Sequence, residues 1–208
     1  QLRVGGYDTA LPSVDIHTIG AGGGTIASVD EAGLLRVGPQ GAGAVPGPAA
    51  YGLGGTEPTV TDALLVLGRL QPGPYAGGAV TLDLERAREA IDERIASLLE
   101  ISVEDAAAGV IELLDSSLRD YMRSMVSAKG YSPASFTCFS YGGAGPVHCY
   151  GYTQGLGFED VVVPAWAAGF SAFGCAAADF EYRYDKSLDI NIAPDAPADQ
   201  QAEASHTL

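Results

Sequence analysis

Apolar and polar positions alternate along the first part of the chain with the period of strands. Val14, Ile16, Thr18 and Ile19 predict one short strand, Thr25, Ile26 and Val29 a second, and Gly33 followed by "LLRVG" a third. Between the first two lies "GAGGG". Gly20, Gly22, Gly23 and Gly24 have no Cβ, so the chain there can take positive φ and leave its N–H groups open to a ligand. Such a run has two readings: a hairpin turn that holds only itself together, or a cradle for an anion.

The period then changes. Residues 38–58, "GPQGAGAVPGPAAYGLGGTEP", form a glycine- and proline-dense loop, either a cover over a site or a surface excursion. Thr61 is placed to cap a helix running to Leu70, with Leu64, Leu67 and Val60 on one face and Pro72 and Gly73 as its stop. Asp62 in its first turn gains from the helix dipole, or sits near a metal or phosphate. Asp83 caps a second helix, in which Leu84, Ala87, Ile91, Ile95 and Leu98 recur at helical spacing. Ser102, with Asp105 three residues on, opens a longer one. Its stripe runs through Ala107, Val110 or Ile111, Leu114, Leu118, Tyr121 or Met122, and Met125, and Lys129 and Gly130 end it. That stripe is predicted core.

From Ser135 to Ala165 the pattern changes again. "FTCFSY" reads as a strand covered on both faces, "GGAG" as a turn, Pro146 as the first helical position, and "DVVVP" as another buried strand after the break at Gly155 to Gly157. A strand, a glycine turn and a helix N-terminus together offer amides and a positive dipole end to a nucleotide. His148, one turn into that helix, is a packed or hydrogen-bonded histidine, or a ligand contact. His17 and Asp15 share a strand face as a solvent-facing pair or the start of a metal site, with no third ligand at diagnostic spacing. "GFSAFGCAAADF" reads as a loop into a helix whose Ala172, Ala176 and Ala178 permit close backbone approach, and "EYRYDKSLDINI" as an outgoing strand. Residues 193–208 have linker composition, which leaves 1–192 as the folded part.

Composition narrows the function. A chain of 208 residues with 47% hydrophobic content is long enough for a real core. The net charge of −15, with Lys129 and Lys186 the only lysines, argues against nucleic acid or anionic membrane as partner. Any phosphate bound here relies on backbone amides and a divalent cation, and no G-x-x-x-x-G-K-[ST] run occurs. Cys138, Cys149 and Cys175 lack C-x-x-C spacing and read as buried free thiols. No stretch reaches about 18 uninterrupted apolar residues, and the N-terminus lacks signal-peptide order, so cytoplasm is the expected location. The start at "QLRVGGYDTA", without Met, suggests a piece of a longer polypeptide.

Four blocks in order, "TIGAGGGTIASVD", "VGPQGAGAVPGPAAYGLGG", "PTVTDALLVLGRL" and "YGGAGPVH", resemble the hydantoinase A, 5-oxoprolinase and acetone carboxylase β-subunit family over roughly Asp15 to Asp179. The resemblance implies an α/β, ribonuclease-H-like, actin-like ATPase domain with a mixed sheet and flanking helices, binding ATP and Mg²⁺. In that picture Gly22, Gly23, Gly24 and Thr25 face the terminal phosphates, and Gly142, Gly143 and Gly145 lie beside ribose or base. Family members carry "GPACYG" and "TDAN" where this chain has Ala50 and Leu64, and their "D-x-G-G-T" phosphate loop is absent here.

"GFSAFG", Gly169 to Gly174, is closer to ketone carboxylases than the "GVLSALG" of hydantoinases and oxoprolinases. The resemblance therefore implies an ATP-hydrolysing, phosphoryl-transferring subunit or fragment of an ATP-dependent ketone carboxylase. It would act on a small molecule within a hetero-oligomer that includes a hydantoinase B type subunit. ATP-dependent hydantoinase or 5-oxoprolinase activity, and a non-catalytic assembly subunit that kept the fold, are the alternatives.

Overall fold

In the computed structural model, which describes residues 2–4, 7–9, 14–180 and 182, the strand-forming segments pair as local two-stranded units. β1 (Leu2–Val4) and β2 (Tyr7–Thr9) are antiparallel. So are β3 (Thr25–Val29) and β4 (Leu35–Gly41), whose register places Ala27 opposite Val37 and Val29 opposite Leu35. Asp30 builds their turn. Its carboxylate accepts from the Ala32 and Leu34 amides at 3.0 and 2.9 Å and from Arg36 Nε at 2.8 Å, while Gly33 takes φ +77°.

The strand expected over residues 14–19 does not form. Val14 and Ile16 are 81% and 79% exposed, and Asp15 instead meets Lys129 Nζ and, at 2.9 Å, His17 Nε2, which hold its carboxyl below the ordinary range. Alternation alone gives a strand nothing to pair with or pack against. These groups form a solvent-facing cluster, and among the described residues no three His, Cys, Asp or Glu side chains are grouped to hold a metal ion.

α1 runs Val60–Val66, capped by Thr59 rather than Thr61. Thr59 and Asp62 form a reciprocal capping box, while Thr61 lies inside the first turn. Gly68, at φ +69°, ends the helix before Leu70. The short antiparallel pair β5 (Gly73–Tyr75) and β6 (Val80–Leu82) follows. Asp83 caps α2 (Leu84–Ile91) as expected, accepting from the Glu85 and Arg86 amides. A π-turn over Asp92–Ala96 then leads to α3 (Ser97–Leu99). The π-turn shifts the helical period, so Leu98 points outward at 63% exposure and Leu99 packs on the core in its place.

Ser102 caps α4 (Val103–Ala128), accepting from the Asp105 amide at 3.0 Å, and Gly130 closes it at φ +77°. The core lies where α1, α2 and α4 meet β3. Ala27, Val60, Leu64, Ile91, Ile95, Ala107, Val110, Ile111 and Leu114 are all buried there. A smaller cluster joins Ala50, Leu65, Leu82 and Ala87.

β7 (Thr137–Phe139) and β8 (Asp160–Val162) pair in parallel, Cys138 opposite Val161. Neither is the strand covered on both faces that its apolar run predicts. Phe139 is 51% and Val161 42% exposed, because the described residues do not bury the sheet on its two sides. Between them, α5 (Gly145–Thr153) takes Pro146 as its second residue rather than its first. α6 (Phe170–Ala177) follows, with Ala178 just past its end. None of the three cysteines forms a disulfide, and none is buried as expected: Cys138 and Cys149 are half-buried and Cys175 is exposed. The described residues form two compact units, one through Ser171 and one from Ala172. Apart from Tyr182, the outgoing strand expected over 181–192 and the tail from 193 lie outside the described residues. No helix among the described residues is long and apolar enough to cross a membrane.

Candidate functional site

The first glycine turn is anchored through its carbonyls. Gly22 O accepts from the Thr25 amide at 3.0 Å, Gly23 O from the Thr61 amide at 2.8 Å and Thr61 Oγ1 at 2.9 Å, and Gly24 O from the Ala42 amide at 2.8 Å. Thr25, 5% exposed, closes the turn by accepting from the Gly22 amide at 2.8 Å. The Gly23 and Gly24 amides make no hydrogen bond among the described residues. Carbonyls held by the protein and amides left over are what a cradle for an oxyanion requires.

Asp62 holds the neighbouring loop. Its carboxylate, fully buried, accepts from the Ala49 and Ala50 amides at 3.3 and 2.7 Å and from Thr59 N and Oγ1 at 2.8 and 2.7 Å. Burial pushes this carboxyl up from its ordinary range while the four donors pull it down. With every donor coming from the protein, Asp62 serves the structure and not a metal or phosphate. Its grip fixes Ala49 and Ala50 in a one-turn helix and brings Tyr51 to the cavity below.

The second glycine turn joins β7 to α5. Gly142, at φ +87°, donates its amide to Ala167 O at 2.9 Å, and a Cβ on Gly145 would stand 3.3 Å from Ser140 Oγ. Ser140 is buried and accepts from the Tyr152 hydroxyl. His148 is buried, with Nδ1 2.8 Å from Asp115 Oδ1 on α4, so it is the hydrogen-bonded histidine and not an exposed ligand contact.

One cavity of about 270 Å³ brings the two turns together. Gly23 and Thr61 line it from the first, Gly143, Ala144 and Val147 from the second, and Tyr51, Leu64, Leu70, Tyr75, Ala76, Val80 and Leu82 complete the wall. Of the residues expected at the site, Gly23 and Gly143 line this cavity, whereas Gly22, Gly24, Thr25, Gly142 and Gly145 do not. Sequence reasoning missed the apolar wall. Leu64 is indistinguishable by period from a core position, and Tyr51 and Val80 reach the cavity only through tertiary packing.

The glycines divide by what demands them. Gly142 needs its positive φ, Gly145 its clearance from Ser140, and a Cβ on Gly23 would fall 2.7 Å from Thr61 Oγ1. Gly22, Gly24 and Gly143 are under neither demand. Their φ lies outside the left-handed region, Gly22 and Gly143 have open space where a Cβ would go, and Gly24 has only Gly43 O at 3.8 Å. Bareness that the fold does not require fits a bound group approaching the main chain.

Comparison with known proteins gives one family over most of the chain: residues 1–184 match hydantoinase/oxoprolinase. The chain is 60% identical over 200 residues to the acetone carboxylase beta subunit of Xanthobacter autotrophicus, covering 96% of this chain and 28% of that protein. It is 43% identical over 186 residues to the caprolactamase subunit alpha of Pseudomonas jessenii, covering 89% of this chain and 27% of that one. Among solved structures it superposes on the nucleotide-free acetone carboxylase, from work on ATP-dependent acetone carboxylation, with a TM-score of 0.81 at 60% identity. That match covers 91% of this chain and 27% of the other. The chain thus spans little more than a quarter of the length of these relatives, and its α/β fold is shared with them.

Proposed function

This chain belongs to the hydantoinase/oxoprolinase family, and on that premise we propose that it is the nucleotide-binding part of a subunit of an ATP-dependent ketone carboxylase. The observation that carries the reading is the meeting of the two glycine turns, far apart in the chain, at a single cavity. An acetone carboxylase subunit stands at 60% identity, while a caprolactamase subunit and an acetophenone carboxylase subunit both stand at 43%, and the first of these supports carboxylation over amide hydrolysis.

ATP, with Mg²⁺ carried on its phosphates, would supply a phosphoryl group to activate an enolised ketone or bicarbonate. Toward it the Gly23 amide at the cavity and the Gly24 amide next to it along the turn, outside the cavity lining, donate to phosphate oxygens, Gly22 and Thr25 hold that turn in shape, and Gly143 approaches the ribose or base from the N-terminus of α5. Gly142 and Gly145 set the path of the second turn. Leu64, Leu70, Val80 and Val147 exclude water from one side of the cavity, which strengthens those donors. Its volume of about 270 Å³ lies just below the usual range for small-molecule sites, about 300–1,000 Å³, and suits part of a nucleotide rather than the whole. The remainder of the site, and a hydantoinase B type partner in a cytoplasmic hetero-oligomer, belong to the rest of the assembly in this reading.

Two substitutions test it because they cost the fold little. Gly24→Ala and Gly143→Ala introduce a Cβ with no clash and no unfavourable φ, so each changes stability by no more than about 0.5 kcal/mol. Calorimetric titration of the intact protein, with the subunits that copurify, is expected to show MgATP binding that each variant weakens about tenfold or more, roughly 1.4 kcal/mol. Unchanged affinity in both variants refutes the cradle. No binding by the unsubstituted assembly identifies a non-catalytic scaffold.

A further inference from the structure

α5, the helix that carries the second glycine turn, buries one side chain, and that side chain is polar: His148, 3% exposed. Its Nδ1 lies 2.8 Å from Oδ1 of Asp115, itself 8% exposed, on α4. One turn later on α5, Gly151 leaves its Cα bare against the same carboxylate, since a Cβ there would fall 1.9 Å from Asp115 Oδ2. The carboxylate is therefore fitted between the imidazole ring and the backbone of α5. Nδ1 faces that carboxyl, and Nε2 is left as a fully buried atom with no hydrogen-bond partner among the described residues.

For stability alone this is a poor way to dock a helix. A buried polar pair with one unpartnered atom is commonly matched or exceeded by apolar side chains of the same volume. What a directed N–H···O bond gives, and non-directional apolar contact does not, is a fixed rotation and height of one helix on another. Gly143 and Ala144, immediately before α5, line the cavity, and the far side of their turn is tied down by the Gly142 amide on Ala167 O. We propose that Asp115 and His148 are positioning residues: the pair fixes how α5 is seated on α4, and thereby where the Gly143 turn stands at the cavity. The consequence for nucleotide rests on the function proposed above; the seating of the turn does not.

Variants of the intact protein separate the roles. His148→Asn places an amide N–H near the position of Nδ1, His148→Gln moves it toward Nε2, and Asp115→Asn combined with His148→Leu removes the bond without stranding a buried charge. Hydrogen exchange of the amides of residues 147–150, measured without nucleotide, is expected to stay within about threefold of the parent in His148→Asn. It should rise about tenfold or more in His148→Gln and in the double variant. The Kd for MgATP is expected to follow the same order. Parent-like exchange in His148→Gln or in a folded double variant overturns the proposal. If the parent binds no MgATP, the nucleotide reading falls, and exchange alone still decides whether the pair seats the turn.

Discussion

Asp62→Ala lowers the stability of the protein by about 3–5 kcal/mol, the largest effect expected of a single substitution in this chain. The carboxylate is fully buried and accepts from four groups at 2.7 to 3.3 Å, three of them backbone amides. Removing it strands those donors where water does not reach, at about 1–3 kcal/mol each before relaxation. It also removes the capping box that starts α1. Asp62→Asn is the informative companion. Its amide nitrogen must face a donor whichever way it is turned, and the least costly choice opposes only the Ala50 amide, so about half the loss is expected. Denaturant midpoints for the two variants check both numbers. An Asp62→Ala protein within about 1 kcal/mol of the parent would show that the loop and α1 are held by something else.

Gly151→Ala is the second large effect, and its sign is the point. In the interior of a helix this replacement ordinarily stabilises, by about 1 kcal/mol. Here the new methyl group would sit 1.9 Å from Asp115 Oδ2 and 2.3 Å from its Cγ. The carboxylate must move, which breaks its bond to His148 and leaves a buried charge and a buried imidazole apart. A net loss of about 2–4 kcal/mol is expected from urea unfolding. A gain in stability would mean that α5 is free to shift away from α4.

The sequence makes some of this legible and hides the rest for physical reasons. The caps at Asp83 and Ser102 are local devices, written in a side chain and the amides two or three residues on, and both form as read. At α1 the same logic favours Thr59, which stands three residues before Asp62; counting from the apolar period alone moves the cap to Thr61. The alternation over 14–19 gives no strand, and the apolar runs around β7 and β8 give paired strands without the burial on both faces that they predict. They are statements about partners, and a strand's partner is not written in the strand. For the site, both glycine turns stand out by composition. The division between glycines the fold needs and glycines it does not is invisible until Thr61, Ser140 and Gly43 take their places. Asp115 and His148, on different helices, carry no spacing signal at all.

Thr61 gives two hydrogen bonds, one from its amide and one from its hydroxyl, to the single carbonyl of Gly23. Two donors of one residue on one carbonyl restrain this joint more than a single bond would. A load on the loop at Gly23 is delivered to the first turn of α1, and Leu64, three residues on, moves with it. Gly23 and Leu64 both line the cavity, so this link joins one part of its lining to another.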